Sequence, residues 1–348
     1  MAVPLKKAAD IMVRSLSPNK PYHVQWMVTR RCNYRCKGCN VWQEQDEKEL
    51  STEEIKKGLD ILKELGVIEI VLSGGNPLLR EDIGEIIEYA SRYFVTTVYD
   101  NGSMAAQKID ALRKAGFVAI SIDSLDAEKN DYIKGVSGSL KKAMDAVEKL
   151  RKEGIRVSVT PTISKLNLHE VLDVTNYFLQ RRVPVWFSLY SFDSSDEACQ
   201  LFKIGKKSDE FMITDRRAMI KLCDDLTELK KKNDNVLVTK RLLEAVKALY
   251  LENKRTWQCR ALQNFFMIDH LGRVAGCHLY DPLVSIFDLP KAWNSEQFDI
   301  LRKTYNNCTR CTYLCYIFYS VHGSVLGNLR LAQEKWRSAA LFLKKKQT

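Results

Sequence analysis

Residues 29–42 read TRRCNYRCKGCNVW and place Cys32, Cys36 and Cys39 in the order C-x3-C-x2-C, directly after an apolar run. Thiols set this close suit metal ligation. A structural zinc site takes four protein ligands, and no fourth thiol or histidine stands close by in sequence. Three thiolates on a four-iron, four-sulfur cube leave one iron free to take a small molecule through an amine and a carboxylate. Two readings are open at this point: a cube with one vacant corner, or a zinc site completed by a distant residue. A second group follows far downstream. Cys259 precedes Gly272 and Cys277, and Cys308, Cys311 and Cys315 close the set as C-x2-C-x3-C. Taken alone, that group reads as a zinc-ribbon-like site. Cys199 and Cys223 stand apart and read as small buried hydrophobes.

The compartment supports metal ligation. The chain has 348 residues and 10 cysteines. Its first residues, MAVPLKKAADIMVRSLSPNKPYH, lack a long apolar core and a small-residue cleavage site, and no run reaches the length of a membrane span. A cytoplasmic location follows, where thiols stay reduced and clustered cysteines bind metal rather than form disulfides. The formal net charge of +11 favours acidic partners without choosing among nucleic acid, anionic ligand and phospholipid surface. Lys and Arg are spread along the chain and no RNA-binding module is present, so nucleic acid is not expected as a partner.

The elements that must position these cysteines alternate. β-rich segments at 23–29, 67–72, 94–99, 117–122, 155–160 and 183–190 are separated by amphipathic stretches at 52–65, 81–92, 104–115, 138–153 and 168–181. Six strand-then-helix repeats imply parallel strands with right-handed crossovers, as a partial barrel or an open doubly wound sheet. Polar and glycine-rich signals follow the strands: Ser73-Gly74-Gly75-Asn76-Pro77, Asp100-Asn101-Gly102 and Ser121-Ile122-Asp123-Ser124. In parallel α/β folds ligands bind at that rim, and the cysteine triplet belongs to it. Beyond residue 195 the alternation stops. Basic helical stretches at 214–232 and 239–253 come first, then a hairpin at 265–280 turning at His270-Leu271-Gly272.

The triplet after the first strand, Gly74-Gly75-Asn76-Pro77 after the second, Asn101-Gly102 after the third, Ser121-Ile122-Asp123 after the fourth and Lys134-Gly135 ahead of Gly138-Ser139 together resemble the radical S-adenosylmethionine (SAM) superfamily, in order, over roughly 24–192. The resemblance implies a partial (β/α)6 barrel with a [4Fe-4S] cluster on Cys32, Cys36 and Cys39. It implies SAM at the cluster's open iron, reductive carbon–sulfur cleavage to methionine and a 5′-deoxyadenosyl radical, and hydrogen abstraction from an inert carbon. Gly74, Gly75, Asn76, Asn101, Ser121, Asp123 and Lys134 are the implied cofactor contacts, joined by Thr160 and Tyr190 at the ends of the fifth and sixth strands. Three departures stand out. Gly38 replaces the aromatic that often precedes the third cysteine, Asn76 replaces the Glu of Gly-Gly-Glu-Pro, and Lys134 replaces an Arg.

The second cysteine group resembles the SPASM and twitch extensions of these enzymes, which carry auxiliary clusters. Five cysteines fit the shorter twitch type, with one auxiliary [4Fe-4S] cluster on Cys259, Cys277, Cys308 and Cys311, and Cys315 as a substitute ligand or a core thiol. The expected architecture is an N-terminal amphipathic helix (1–22), the barrel (23–200), a helical connector (201–255), a small α+β iron–sulfur unit (256–318) and a C-terminal basic amphipathic helix (319–348). A reductant such as ferredoxin or flavodoxin is the expected redox partner. The basic, aromatic-rich ends, together with the opening MAVPL, resemble hopanoid-modifying radical SAM enzymes. The first expectation for the substrate is therefore a membrane isoprenoid or alkyl lipid, with peripheral contact to the inner face of the membrane and carbon–carbon bond formation as one outcome. The competing expectations are a ribosomal peptide, disfavoured because only residues 1–22 precede the first strand, and a non-catalytic iron–sulfur or zinc protein.

Overall fold

The computed structural model describes residues 20–43, 48–190, 210–310 and 312–323. The amphipathic ends expected before residue 20 and after residue 323 lie outside them, as do Cys199 and Cys311.

In chain order the elements are β1 (His23–Thr29), α1 (Thr52–Leu65), β2 (Glu69–Gly74), α2 (Ile83–Tyr93), β3 (Val95–Asp100), α3 (Ile109–Leu112), β4 (Phe117–Ile120), α4 (Ala127–Lys134), α5 (Ser139–Lys152), β5 (Val157–Val159), β6 (Thr162–Ile163), α6 (Val171–Gln180) and β7 (Ser188–Leu189). They continue with α7 (Arg216–Lys232), α8 (Lys240–Glu252), β8 (Phe265–Ile268), β9 (Arg273–Ala275), β10 (Val284–Ser285), α9 (Leu289–Ala292), α10 (Glu296–Asn306) and α11 (Leu314–Val321). β1 to β5 pair in sequence order and in parallel, as the βα alternation requires. Helix α1 shows how locally these boundaries are written. Ser51 and Glu54 form a reciprocal capping box at its start, and Gly66 closes it in the left-handed conformation.

The sheet has two unlike faces because side chains alternate along each strand. Val24, Trp26 and Val28 of β1, Ile70 and Leu72 of β2, Val98 of β3 and Val118 and Ile120 of β4 are buried in the main core. The other face carries Gln25, Val71, Ser73, Thr97, Tyr99 and Ser158. Gln25 Nε2 donates to Ser73 Oγ at 3.2 Å across it, and Gln25, Val71, Thr97 and Tyr99 are only half-buried. This face, turned away from the main core, is the lumen side of the sheet.

Two expectations are corrected. The sixth strand, expected at 183–190, shrinks to β7, which pairs with β6 in a separate two-stranded sheet; Val185 adds an isolated bridge to Val159. The split falls at Pro161, which has no N–H to give to the ladder; on either side of it Trp186 N–H donates to Val159 O at 3.0 Å, Ser188 N–H to Pro161 O at 2.9 Å and Tyr190 N–H to Ile163 O at 2.8 Å, so 184–190 still runs beside 159–163. The hairpin at 265–280, expected in an appended unit, instead extends the main sheet. β8 pairs in parallel with β1, His23 opposite Phe265 and Trp26 opposite Ile268, and the sheet order is β10-β9-β8-β1-β2-β3-β4-β5. The turn falls at the expected place, with Gly272 at positive φ. Helix α11 then crosses the lumen side of the sheet. Tyr316 stacks on Phe265 with ring centres 4.7 Å apart, and Tyr319 Oη donates to Glu69 Oε2 at 3.0 Å. Among the described residues no helix is long and apolar enough to cross a membrane.

Candidate active site

The cysteine loop leaves the C-terminal end of β1 and is fastened on both sides by backbone contacts. Gly75 N–H donates to Thr29 O at 2.9 Å and Asn76 N–H to Arg31 O at 2.8 Å. A Cβ on Gly75 would stand 2.3 Å from Arg31 O, so only glycine allows the Gly-Gly turn to lie this close to the loop. Opposite, Lys37 N–H donates to Ile133 O at 3.0 Å, and a Cβ on Gly135 would stand 2.1 Å from Arg35 O. Within the loop Arg35 donates to Cys32 O at 2.9 Å and Trp42 Nε1 to Cys36 O at 3.2 Å. At its base the buried Arg80 binds Val28 O at 3.0 Å and pairs with Glu49 and Asp82.

Burial pushes all three thiols upward, Cys36 to about 12, while the positive charge of Lys134 pulls Cys36 and Cys39 back down. Lys134 is itself buried, 2.7 Å from Asp123 Oδ2 and 2.6 Å from Ser121 Oγ. Burial alone would lower its pKa; Asp123 and Cys36 outweigh that and hold it above the ordinary lysine value. Among the described residues two of its three N–H donors are committed and one remains. The β5 end contributes Thr160, 3% exposed, whose hydroxyl has no partner among the described residues. Tyr190 stacks on Phe211 at 5.3 Å, and a Cβ on Gly38 would stand 3.0 Å from Tyr190 and 3.3 Å from Phe211. The aromatic surface missing at Gly38 is thus supplied by a pair from distant segments.

The Asn76 side chain lies inside a polar network. Its Nδ2 donates to Asp100 Oδ1 at 2.7 Å and lies 3.2 Å from Asn101 Oδ1. Asn101 Nδ2 donates to Asn33 Oδ1 at 3.0 Å, and Asn33 Nδ2 to Ser103 Oγ at 2.8 Å. The rim therefore brings together Cys32, Cys36, Cys39, Gly74, Gly75, Asn76, Asn101, Ser121, Asp123, Lys134, Thr160 and Tyr190. Sequence reasoning missed Asn33, Asp100, Ser103 and Phe211. Asp100 stood in the noted Asp-Asn-Gly signal; Phe211 carried no signal at all.

Among the described residues no three Cys, His, Asp or Glu side chains converge on a single-ion site. A cube presents its irons at separate corners, so its ligands need not meet at a point. The loop fits that group: three thiols, the Lys134 cation acting on two of them, and the Asn33, Asn76 and Asn101 amides alongside would hold it.

Cys259, Cys277 and Cys308 line one small cavity with Trp257, Tyr305 and Tyr316. The hairpin returns Cys277 to Cys259 as expected, and Tyr280 Oη donates to Cys308 Sγ at 3.3 Å. Cys315 is not among the lining residues; it lies beside Trp186, where burial raises its thiol to about 11. Cys223 is a buried core thiol.

Residues 26–178 match the Radical SAM superfamily. Over 171 residues the chain is 34% identical to the AdoMet-dependent heme synthase of Oleidesulfovibrio alaskensis, covering 47% of this chain and 44% of that one. It is 32% identical over 186 residues to the Fe-coproporphyrin III synthase of Methanosarcina barkeri (51% and 46%) and 33% identical over 176 residues to the GTP 3′,8-cyclase of Aquifex aeolicus (47% and 54%). The chain spans about half the length of the curated relatives it matches. In fold it is similar to Streptococcus suis SuiB bound to S-adenosylmethionine, with a TM-score of 0.62 at 16% identity over 85% of this chain and 69% of that one. It is also similar to anSMEcpe with bound AdoMet, at 0.59 and 14% over 83% and 84%. Residues 26–178 of this chain are a domain of the radical SAM superfamily.

Proposed function

We propose that the protein is a radical SAM enzyme that holds a [4Fe-4S] cluster on Cys32, Cys36 and Cys39, binds S-adenosylmethionine across the rim and acts on a polar, ring-bearing substrate in the lumen. The single observation that carries this is the triplet's setting. Three half-buried thiols stand beside the Lys134–Asp123 pair, on a loop stitched to the Gly-Gly turn at the mouth of a parallel sheet. When bound, the cluster and SAM together supply one-electron cleavage of a sulfonium. The chain's own contribution is orientation. The free N–H of Lys134 suits the SAM carboxylate, the network around Asn76 and Asn101 suits its amino end, and Tyr190 with Phe211 offers a stacking face for adenine. Cys259, Cys277, Cys308 and Cys311 are the proposed ligands of an auxiliary cluster, with ferredoxin or flavodoxin as reductant.

The lumen favours the substrate class. Thr97 and Ser158 would lose water against an alkyl chain without a replacement partner, whereas the hydrogen-bonded Gln25 and Ser73 and the half-buried Tyr99 suit a polar, ring-bearing group. The lipid expectation draws on terminal segments outside the described residues, and this lining argues against it. The curated relatives named for heme and GTP chemistry carry ring-bearing, polar substrates in their names.

Anaerobic reconstitution with iron and sulfide tests the reading. The expected result is about eight irons per chain, the content of two four-iron clusters, with conversion of SAM to methionine and 5′-deoxyadenosine under a strong reductant. Cys36→Ala is expected to abolish that cleavage. Bound zinc in place of iron, or cleavage that survives Cys36→Ala, would overturn it.

A further inference from the structure

We infer that Asp100 supplies the carboxylate that anchors the α-ammonium group of SAM, and that Asn76 is the amide that holds Asp100 in place. The inference rests on the reading above that SAM binds at the triplet, and it deepens that reading.

Asn76 occupies the position at which the resemblance expects glutamate. Its Oδ1 accepts Leu78 N–H at 3.0 Å, which fixes the amide's orientation and turns Nδ2 towards Asp100 Oδ1 at 2.7 Å. A glutamate here would face Asp100 carboxylate to carboxylate, which a buried site disfavours. The negative charge has therefore moved from the end of β2 to the end of β3, and an amide stands where a charge would now repel.

Asp100 is placed to receive a cation. It is 3% exposed. Oδ2 accepts the N–H groups of Gly102 and Ala105, each at 3.0 Å, and that of Met104 at 3.4 Å, while Asn76 is the donor to Oδ1, which keeps a lone pair free. No Lys, Arg or His pairs with it among the described residues, and burial raises its pKa. A buried carboxylate is costly until a cation joins it. The surroundings are rich in acceptors: besides Asp100 Oδ1, the Asn101, Ser103 and Asn33 oxygens lie within 3.4 Å of Asn76 Nδ2, a nitrogen with two hydrogens to give. A primary ammonium brings three N–H donors and a full charge, the chemistry such a cradle lacks. The cradle also adjoins the cluster loop. The Asp100 charge acts on Cys32 and on Tyr34, and the Tyr34 hydroxyl, buried, has no partner among the described residues.

The test is equilibrium binding to the anaerobically reconstituted full chain, with SAM and with its deaminated analogue, in which a keto group replaces the α-amine. Asp100→Asn should weaken SAM binding about tenfold or more, the worth of one charge-assisted hydrogen bond, and leave the analogue's affinity unchanged, which also shows the site intact. The double variant Asn76→Glu with Asp100→Asn returns the charge to β2 and should recover SAM affinity. Equal weakening of both ligands by Asp100→Asn, or unchanged SAM affinity, overturns the assignment while the radical SAM reading stands. Failure of the iron-loaded wild-type chain to bind SAM overturns both.

Discussion

At the scale of single residues the rim is decided by a few buried charges and one close approach. Gly75→Ala forces a methyl against Arg31 O and Arg30 O. The expected result is a folded chain that takes up about half the wild-type iron, since only the triplet's cluster is lost; iron analysis with circular dichroism checks it. Asp100 makes a prediction for the cluster-free chain. Its folded pKa is raised, so the stability linked to it is present below the ordinary carboxylate range and falls as pH rises through the folded value. Asp100→Asn removes that dependence. Melting temperatures of variant and wild type should agree at low pH and diverge in the variant's favour towards neutrality; a constant offset would contradict it. At this scale the cysteines, the Gly-Gly turn and Lys134 were legible because each carries a local signature. The Tyr190–Phe211 pair was not, because nothing near Phe211 marks it as the partner of Gly38 across the chain. Asn76 read as a lost charge, and only the hydrogen bond to Asp100 reveals where that charge went.

At the scale of elements, local rules set the outcome wherever both ends of a helix carry caps. The expected helix at 52–65 matches α1 because Ser51, Glu54 and Gly66 fix its limits. Ser51→Ala should cost about 1 kcal/mol, read as a lower denaturant midpoint at unchanged slope. The stretch at 104–115 instead breaks into a 3-10 turn and the four-residue α3; neither piece has a side-chain cap. Arg80 links elements as well. Its guanidinium ties β1 to the residues preceding α1 and to the start of α2. Arg80→Ala leaves Val28 O, Leu50 O and Asp82 short of partners, and a loss of about 3 kcal/mol or more is expected in chemical unfolding. The pairing of β8 with β1 was not legible, because a parallel contact across more than two hundred residues leaves no periodic mark in either segment.

At the scale of the whole molecule that pairing matters most. β1 lies between β2 and β8, so the strand that launches the cysteine loop is flanked on one side by the hairpin that leads to Cys277. A chain cut after residue 255 would expose a long, apolar edge of β1. It is expected to aggregate rather than yield a working barrel, and the full chain should unfold in one transition; light scattering and calorimetry check the two outcomes. The segments that carry the two cysteine groups thus share one continuous sheet. The alternating sequence announced the parallel sheet but was silent on its final width.

The stitching of the cysteine loop has a consequence for the order of maturation. The N–H groups of Lys37, Gly75 and Asn76 are all bonded to protein carbonyls. In the metal-free protein these amides should already exchange slowly with deuterated solvent. Delivery of iron and sulfide then resembles loading a finished socket rather than moulding one, and the rate of insertion should follow the supply of the inorganic parts, not a refolding step of the polypeptide.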